Sequence, residues 1–163
     1  MGKLVRVGVT GHLNLTEHST ELVYHALVAA LHEYAGRPLR GVTCLAEGAD
    51  QIFARAVLAT RGSFEVILPA RDYRHRCVSP SNAGHFDTLL GCAVTVTYAC
   101  AGSSGDLAYA AANDELLRRC EHLFAVWDGQ PTDNAGGTAR VVALAEGSGV
   151  QVTRVWPHGT RRT

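Results

Sequence analysis

Apolar positions along this chain follow two alternating rhythms. Short runs, nearly continuous in valine, leucine and isoleucine, are separated by longer stretches whose apolar residues recur every three or four positions. The first run, Leu4 to Val9, reads as a strand and leads into Thr10-Gly11-His12. Leu22, Val23, Ala26, Leu27, Ala30, Leu31 and Tyr34 then share one face of a helix expected from about Thr16 to Tyr34. Pro38 marks the connection to a second strand, Gly41 to Leu45. Ala46-Glu47-Gly48 follows, and then a helix over about Ala49 to Thr60, with Ile52, Phe53, Ala56 and Val57 inward. Gly62 stops that helix, and Phe64 to Leu68 is the third strand, ended by Pro69.

The polar and aromatic stretch Arg71 to Arg76 reads as a loop leaving the sheet, Ser81 to Leu90 as a helix and Ala93 to Thr97 as a fourth strand. Gly102-Ser-Ser-Gly105 reads as a flexible link and the place where disorder is expected. A helix over Leu107 to Cys120 precedes the strongly apolar strand His122 to Trp127, which ends in Asp128-Gly129. The loop Gln130 to Ala135 leads to Gly136-Gly137-Thr138, a helix through Glu146 and a last strand, Val150 to Val155. Strands alternating with helices, each strand apolar on both faces, predict an α/β fold. The expected form is Rossmann-like and doubly wound, a mainly parallel sheet of about six strands with helices on both faces. One domain spans 1–157, and 158–163 reads as a short basic tail; no internal repeat or low-complexity tract appears.

Composition narrows the classes of partner. The chain has 163 residues, enough for one ordinary core. It carries 15 basic and 15 acidic residues, so no global field draws it to nucleic acid, which is not expected as a partner. No apolar run reaches the roughly 20 residues of a membrane span, and no signal-peptide pattern opens the chain. The five cysteines show no CxxC or zinc spacing, and no metal site is expected. Cys44 and Cys92 lie among apolar neighbours and are expected to be buried thiols, which suits a reducing cytoplasm. His18, His25 and His32 repeat every seven residues on the polar side of their helix, roughly 10 Å apart. That is too far for shared ligation, so they read as solvated.

In an open parallel sheet ligands bind beyond the carboxyl ends of the strands, near the point where strand order reverses. The polar and glycine residues of this chain gather at those ends: Thr10, Gly11 and His12; Ala46, Glu47, Gly48 and Asp50; Arg71, Asp72 and Tyr73; Asp128, Gly129, Gly136, Gly137 and Thr138. Gly136-Gly137-Thr138 offers main-chain N–H groups and a hydroxyl at a helix start, an anion cradle, and Thr10-Gly11 could add a second set of amides. Asp128 or Glu47 could accept from ribose hydroxyls, Arg71 could neutralise phosphate, and Tyr73 or His12 could stack on a base. Each has a plainer reading: Asp128-Gly129 is a common turn pair, Asp50 suits a first helical turn, and Tyr73 suits a core. GxGxxG, GxxxxGK[ST] and GxSxG are all absent.

Three blocks carry a resemblance. Thr43-Cys-Leu-Ala-Glu-Gly-Ala-Asp50, with Ala54, Ala56, Leu58, Gly62 and Val66-Ile-Leu-Pro69, resembles the central block of the DprA/Smf proteins. Trp127-Asp-Gly129, Gly136-Gly-Thr138, Ala145 and Gly149-Val150 resemble the glycine-rich phosphate loop of the LOG (lysine-decarboxylase-like) family. Thr10-Gly11-His12 is similar to the first-strand turn of the SLOG superfamily that joins them. The resemblance implies a Rossmann-like nucleotide-binding domain, often a homodimer, with a nucleotide or nucleoside phosphate as ligand and no further cofactor. LOG enzymes cleave the N-glycosidic bond of a nucleoside monophosphate with a glutamate shortly after that loop and an arginine. Here the extra glycine of the loop is missing and the helix reads Ala139-Arg-Val-Val-Ala143, without an acid. Glu47, Asp50 or Asp128 would have to stand in for that glutamate. Glu47 and Asp128 are therefore the catalytic candidates. The leading expectation is a sensor or carrier of a nucleotide-derived ligand. A nucleoside 5′-monophosphate phosphoribohydrolase is the alternative, and DprA-like single-stranded DNA binding the third.

Overall fold

The computed structural model describes residues 2–131 and 137–163. Six strands form one sheet: β1 (Val5–Gly11), β2 (Leu39–Thr43), β3 (Ser63–Leu68), β4 (Val96–Tyr98), β5 (His122–Val126) and β6 (Gln151–Arg154). Their order is β4-β3-β2-β1-β5-β6, and every pairing is parallel. The helices are α1 (Glu17–Leu31), α2 (Ala49–Ala59), α3 (Tyr73–Cys77), α4 (Ala83–Cys92), α5 (Asp106–Arg119) and α6 (Thr138–Gly147), with a 3₁₀ turn at His32–Tyr34. The chain is a Rossmann-like α/β protein.

Strand periodicity divides the interior in two. Val5, Val7, Val9, Phe64, Val66, Leu68, Phe124 and Val126 point to one face, where Val23, Leu27 and Leu31 of α1 and Ile52, Phe53 and Val57 of α2 cover them. Val42, Ile67 and Leu123 point the other way, under Ala112, Leu116 and Leu117 of α5 and Val141 and Ala145 of α6. Phe53, Phe64 and Phe86 are fully buried, each worth roughly 1.5–3 kcal/mol in area removed from water. Gly8 lets α5 sit close to β1. A Cβ there would lie 3.0 Å from both Leu116 Cδ2 and Cys120 Sγ.

One acid lies within this second face. Glu65 of β3 is buried, 3.6 Å from Arg40 Nη1 and 3.2 Å from Arg119 Nη1. Arg119 also holds Glu115, 2.7 Å away on the preceding turn.

Five expectations change. Residues 71–76 are not all loop, because Tyr73 is drawn into the core against Phe86 and the chain coils around it as α3. The fourth strand holds only Val96–Tyr98, at the sheet edge where one neighbour fixes it. Gly102-Ser-Ser-Gly105 is tied down: Ser104 donates both its N–H (2.9 Å) and its hydroxyl (2.8 Å) to Asp72 Oδ1. Cys92, expected buried, is exposed at the end of α4, whose inward face is Phe86 and Leu89. The segment read as a short basic tail is also packed. Arg162 bridges Leu15 in antiparallel register, and Arg161 and Thr163 bond the residues beside it. His18, His25 and His32 are exposed. No described helix is long and apolar enough to cross a membrane.

Candidate functional site

The chain leaves β1 toward β2 over one face and leaves β5 toward β6 over the other, so strand order reverses between β1 and β5. The crevice beyond their carboxyl ends is where an open α/β sheet offers its loops to a ligand. Four turns leave the strands along this edge: residues 12–16 after β1, 44–48 after β2, 69–72 after β3 and 127–131 after β5.

The β1 turn is closed rather than open. Thr10 and Gly11 belong to the strand, paired with Ala125 and Val126, and the His12 N–H continues the ladder to Val126 O at 3.1 Å. Gly11 is a point of contact: a Cβ there would lie 2.5 Å from Ala49 Cβ and 2.7 Å from Val126 Cβ. The first turn of α1 is capped by Thr16, whose Oγ1 accepts the Ser19 N–H, while the Thr16 N–H donates to Arg161 O. The expected second set of amides at Thr10-Gly11 is thus committed to the sheet. His12 is buried, in T-shaped contact with Trp156, so it is not exposed to stack on a base. Burial lowers its pKa and outweighs the raising effect of Asp128.

The β2 turn is tightly specified. Leu45 is buried with φ of 59°, a left-handed conformation rare for a leucine. Its N–H donates to Thr43 Oγ1 and its carbonyl accepts from Gln51 Nε2. The Ala46 N–H donates to Asp50 Oδ2 at 3.2 Å, so this amide serves the loop rather than an external anion. Asp50 is 8% exposed, and burial pushes its pKa up to about 7. Gly48, with φ of 92°, opens α2 without a side-chain cap. A Cβ on Gly48 would lie 2.6 Å from both His12 O and Leu13 O, so this turn is seated on the β1 turn. Glu47 is exposed beside it.

After β3, Arg71 is exposed with its guanidinium 4.5 Å above the Tyr98 ring. Tyr73 is buried between Phe86 and Tyr109, a core aromatic with its faces used in packing. After β5, Asp128 is engaged on all sides. Its Oδ1 accepts the Gln130 N–H (3.0 Å) and lies 3.2 Å from His12 Nε2, and its Oδ2 lies 3.6 Å from Arg162 Nη1. Burial alone would raise the Asp128 pKa, but Gln130, His12 and Arg162 together hold it below the usual carboxylate range. Gly129 (φ of 84°) packs under Arg154, whose Nε and Nη2 donate to the carbonyls of Trp127 and Asp128. Gly136 lies outside the described residues. Gly137 is the N-cap of α6 with no side-chain cap, and Thr138, buried, is its first residue. The first turn of α6 holds no acid.

The expected residues therefore share one edge but not one role. Glu47 and Arg71 are exposed at this edge, whereas Gly11, His12, Ala46, Gly48, Tyr73 and Gly129 are spent on contacts within the fold. Arg154, Trp156, Asn14 and Arg162 were missed by the sequence reading. Each acts across a long stretch of chain, and no local spacing announces such a contact. Among the described residues no group of three His, Cys, Asp or Glu side chains could hold a metal ion.

No protein-family model and no curated protein matches the chain. Solved structures do. Over 93% of its length the chain superposes on DNA processing protein A (DprA) from Streptococcus pneumoniae with a TM-score of 0.67 at 15% identity. It shares the fold of that protein. DNA processing protein A from Helicobacter pylori, described for its single-stranded DNA binding mode, matches 92% of the chain with a TM-score of 0.61 at 14% identity. The Moco carrier protein of Chlamydomonas matches 93% with a TM-score of 0.56 at 17% identity. The chain spans 50% and 64% of the two DprA chains and 76% of the carrier.

Proposed function

We propose that this domain binds a phosphorylated small molecule of the nucleotide class at the carboxyl edge of its sheet, as a carrier or sensor. The observation that carries the reading is the α6 start. Among the described residues no side chain caps the N–H groups of Thr138 and Ala139, which open a ten-residue helix after β5, where strand order reverses. Free amides at the positive end of a helix favour an anion, and the Thr138 hydroxyl adds a donor. The carrier described from Chlamydomonas shares the fold, which agrees with a domain that holds a ligand without changing it. The lack of an acid in the first turn of α6 argues against LOG-like hydrolysis. Should turnover occur, Asp50 is the acid to implicate, since a pKa of about 7 suits proton transfer near neutrality.

A thermal-shift screen across nucleotides, with analysis of each hit for released base, tests this reading. Stabilisation by monophosphates without product is the expected result. Thr138→Ala should weaken the best hit by roughly ten-fold, the value of one hydrogen bond to a charged group. No stabilisation by any nucleotide would remove the proposal.

Single-stranded DNA is the second reading. It is favoured by Arg71 stacked on Tyr98 next to Arg74, His75 and Arg76 at the same edge, although Asp87 and Asp72 pair with Arg74 and Arg76. Affinity for an oligonucleotide that falls steeply with salt would support it.

A further inference from the structure

The segment Thr160–Thr163 is lashed across the mouth of the β1 turn. The Thr16 N–H donates to Arg161 O (3.2 Å), and the Arg161 N–H donates to Ser19 Oγ (2.6 Å). The Thr163 N–H donates to Asn14 O (2.9 Å), and Asn14 Nδ2 donates to Thr163 O (3.1 Å). The chain enters this strap through Gly159, whose φ is 89°. Thr160 is buried with a hydroxyl that finds no partner among the described residues. This lashing presents the Arg162 guanidinium to the β5–α6 loop. Nε donates to Asn14 Oδ1 (3.2 Å), and Nη1 stands 3.6 Å from Asp128 Oδ2, too long for a hydrogen bond. The guanidinium has five N–H donors, and no described protein group takes Nη2.

Asp128 opens the loop that ends in Gly137-Thr138. A bare carboxylate there would repel an anionic ligand, and its other neighbours, the neutral His12 and the Gln130 N–H, do not cancel its charge. Arg162 is the one described cation within ion-pair distance of it. We propose that Arg162 is an anion-binding residue of the same site, shared between Asp128 and the phosphate of a nucleotide, and that the strap Thr160–Thr163 holds it there. The inference rests on the nucleotide reading above. With no ligand the arginine screens Asp128. With ligand present, Nη2, which no described group takes, turns to the phosphate, and Asp128 competes for the guanidinium.

Competition predicts effects of opposite sign. Binding of 5′-AMP is measured by calorimetry on the full chain, with adenosine as the phosphate-free control. Arg162→Gln should weaken AMP by roughly ten-fold or more, the scale of a lost charge-assisted contact. It should leave adenosine unchanged. Asp128→Asn should tighten AMP by several-fold, and Arg162→Lys should recover part of the loss. The tightening is absent from any purely structural role, and melting temperatures without ligand show whether each variant is folded. AMP bound equally by wild type and Arg162→Gln overturns the inference and leaves the nucleotide reading standing. Equal losses for AMP and adenosine in Arg162→Gln also overturn it. No binding of AMP to the wild type overturns the inference, and the nucleotide reading falls with it only if no nucleotide stabilises the protein in the thermal-shift screen.

Discussion

Asp50 lies in the first turn of α2, its carboxyl accepting one hydrogen bond, from the Ala46 N–H, and burial raises its pKa from 3.8 to about 7. Because the folded value exceeds the unfolded one, the native state binds this proton more tightly between those two pH values. Stability from this group therefore rises as pH falls from about 7 toward 4. His12 works in the opposite sense. Its folded pKa is depressed by burial, so stability is lost as pH drops below the ordinary value of 6.5. Asp50→Asn keeps an acceptor for Ala46 and removes the charge. Melting followed against pH should show the variant more stable than wild type above pH 7, with the Asp50-linked slope gone. Thiol labelling gives a second residue-scale test. Cys77 and Cys92 are exposed and should react with a disulfide reagent first. Burial pushes the Cys120 thiol up to about 11 and that of Cys44 up as well, so both should lag. From the sequence, Asp50 was legible as a helix-start acid but not as a buried one. The groups that enclose it, Cys44 and Tyr73, come from other elements.

Whole elements were more legible than their ends. The apolar runs around Val7, Val66 and Phe124 marked β1, β3 and β5 because strands buried on both faces have no polar side to blur the signal. The ends were harder. β1 runs on to Gly11 because Val126 stands beside it, and a register set by a partner strand is invisible locally. The same proximity predicts that Gly11→Ala destabilises, by about 1–3 kcal/mol for an overpacked contact. Gly48→Ala adds strain at a φ of 92° to contacts of 2.6 Å, and its loss should be at least as large. Chemical denaturation measures both. Glu65→Ala would leave Arg40 and Arg119 facing each other without their acid. A loss of about 3 kcal/mol is expected, the lower end for a broken buried pair, because both arginines reach solvent. Glu65→Gln, which keeps two hydrogen-bonding atoms, should lose less.

For the molecule as a whole, the alternation of strand and helix specified the parallel sheet. What the pattern did not contain was closure. Gly48 seated on the β1 turn, Arg154 gripping the carbonyls of Trp127 and Asp128, and residues 161–163 tied to Asn14 and Ser19 all join parts of the chain far apart in sequence. Such contacts set which edge residues stay exposed and which are spent on architecture. This is why Ala46 and Tyr73 read as ligands and proved structural.

The strand order also has a consequence for synthesis. β1 to β4 are added in sequence toward one edge, and only then does the chain cross beneath the sheet through α5 to lay β5 on the far side of β1. A nascent chain that has emerged no further than Tyr98 can fold α1, α2 and α4 onto their face. Val42 and Ile67 are still bare to water on the other, and β1 is an unpaired edge. Until about residue 126 leaves the ribosome, this half-built sheet is a surface for chaperones to hold and for other unfinished copies to meet.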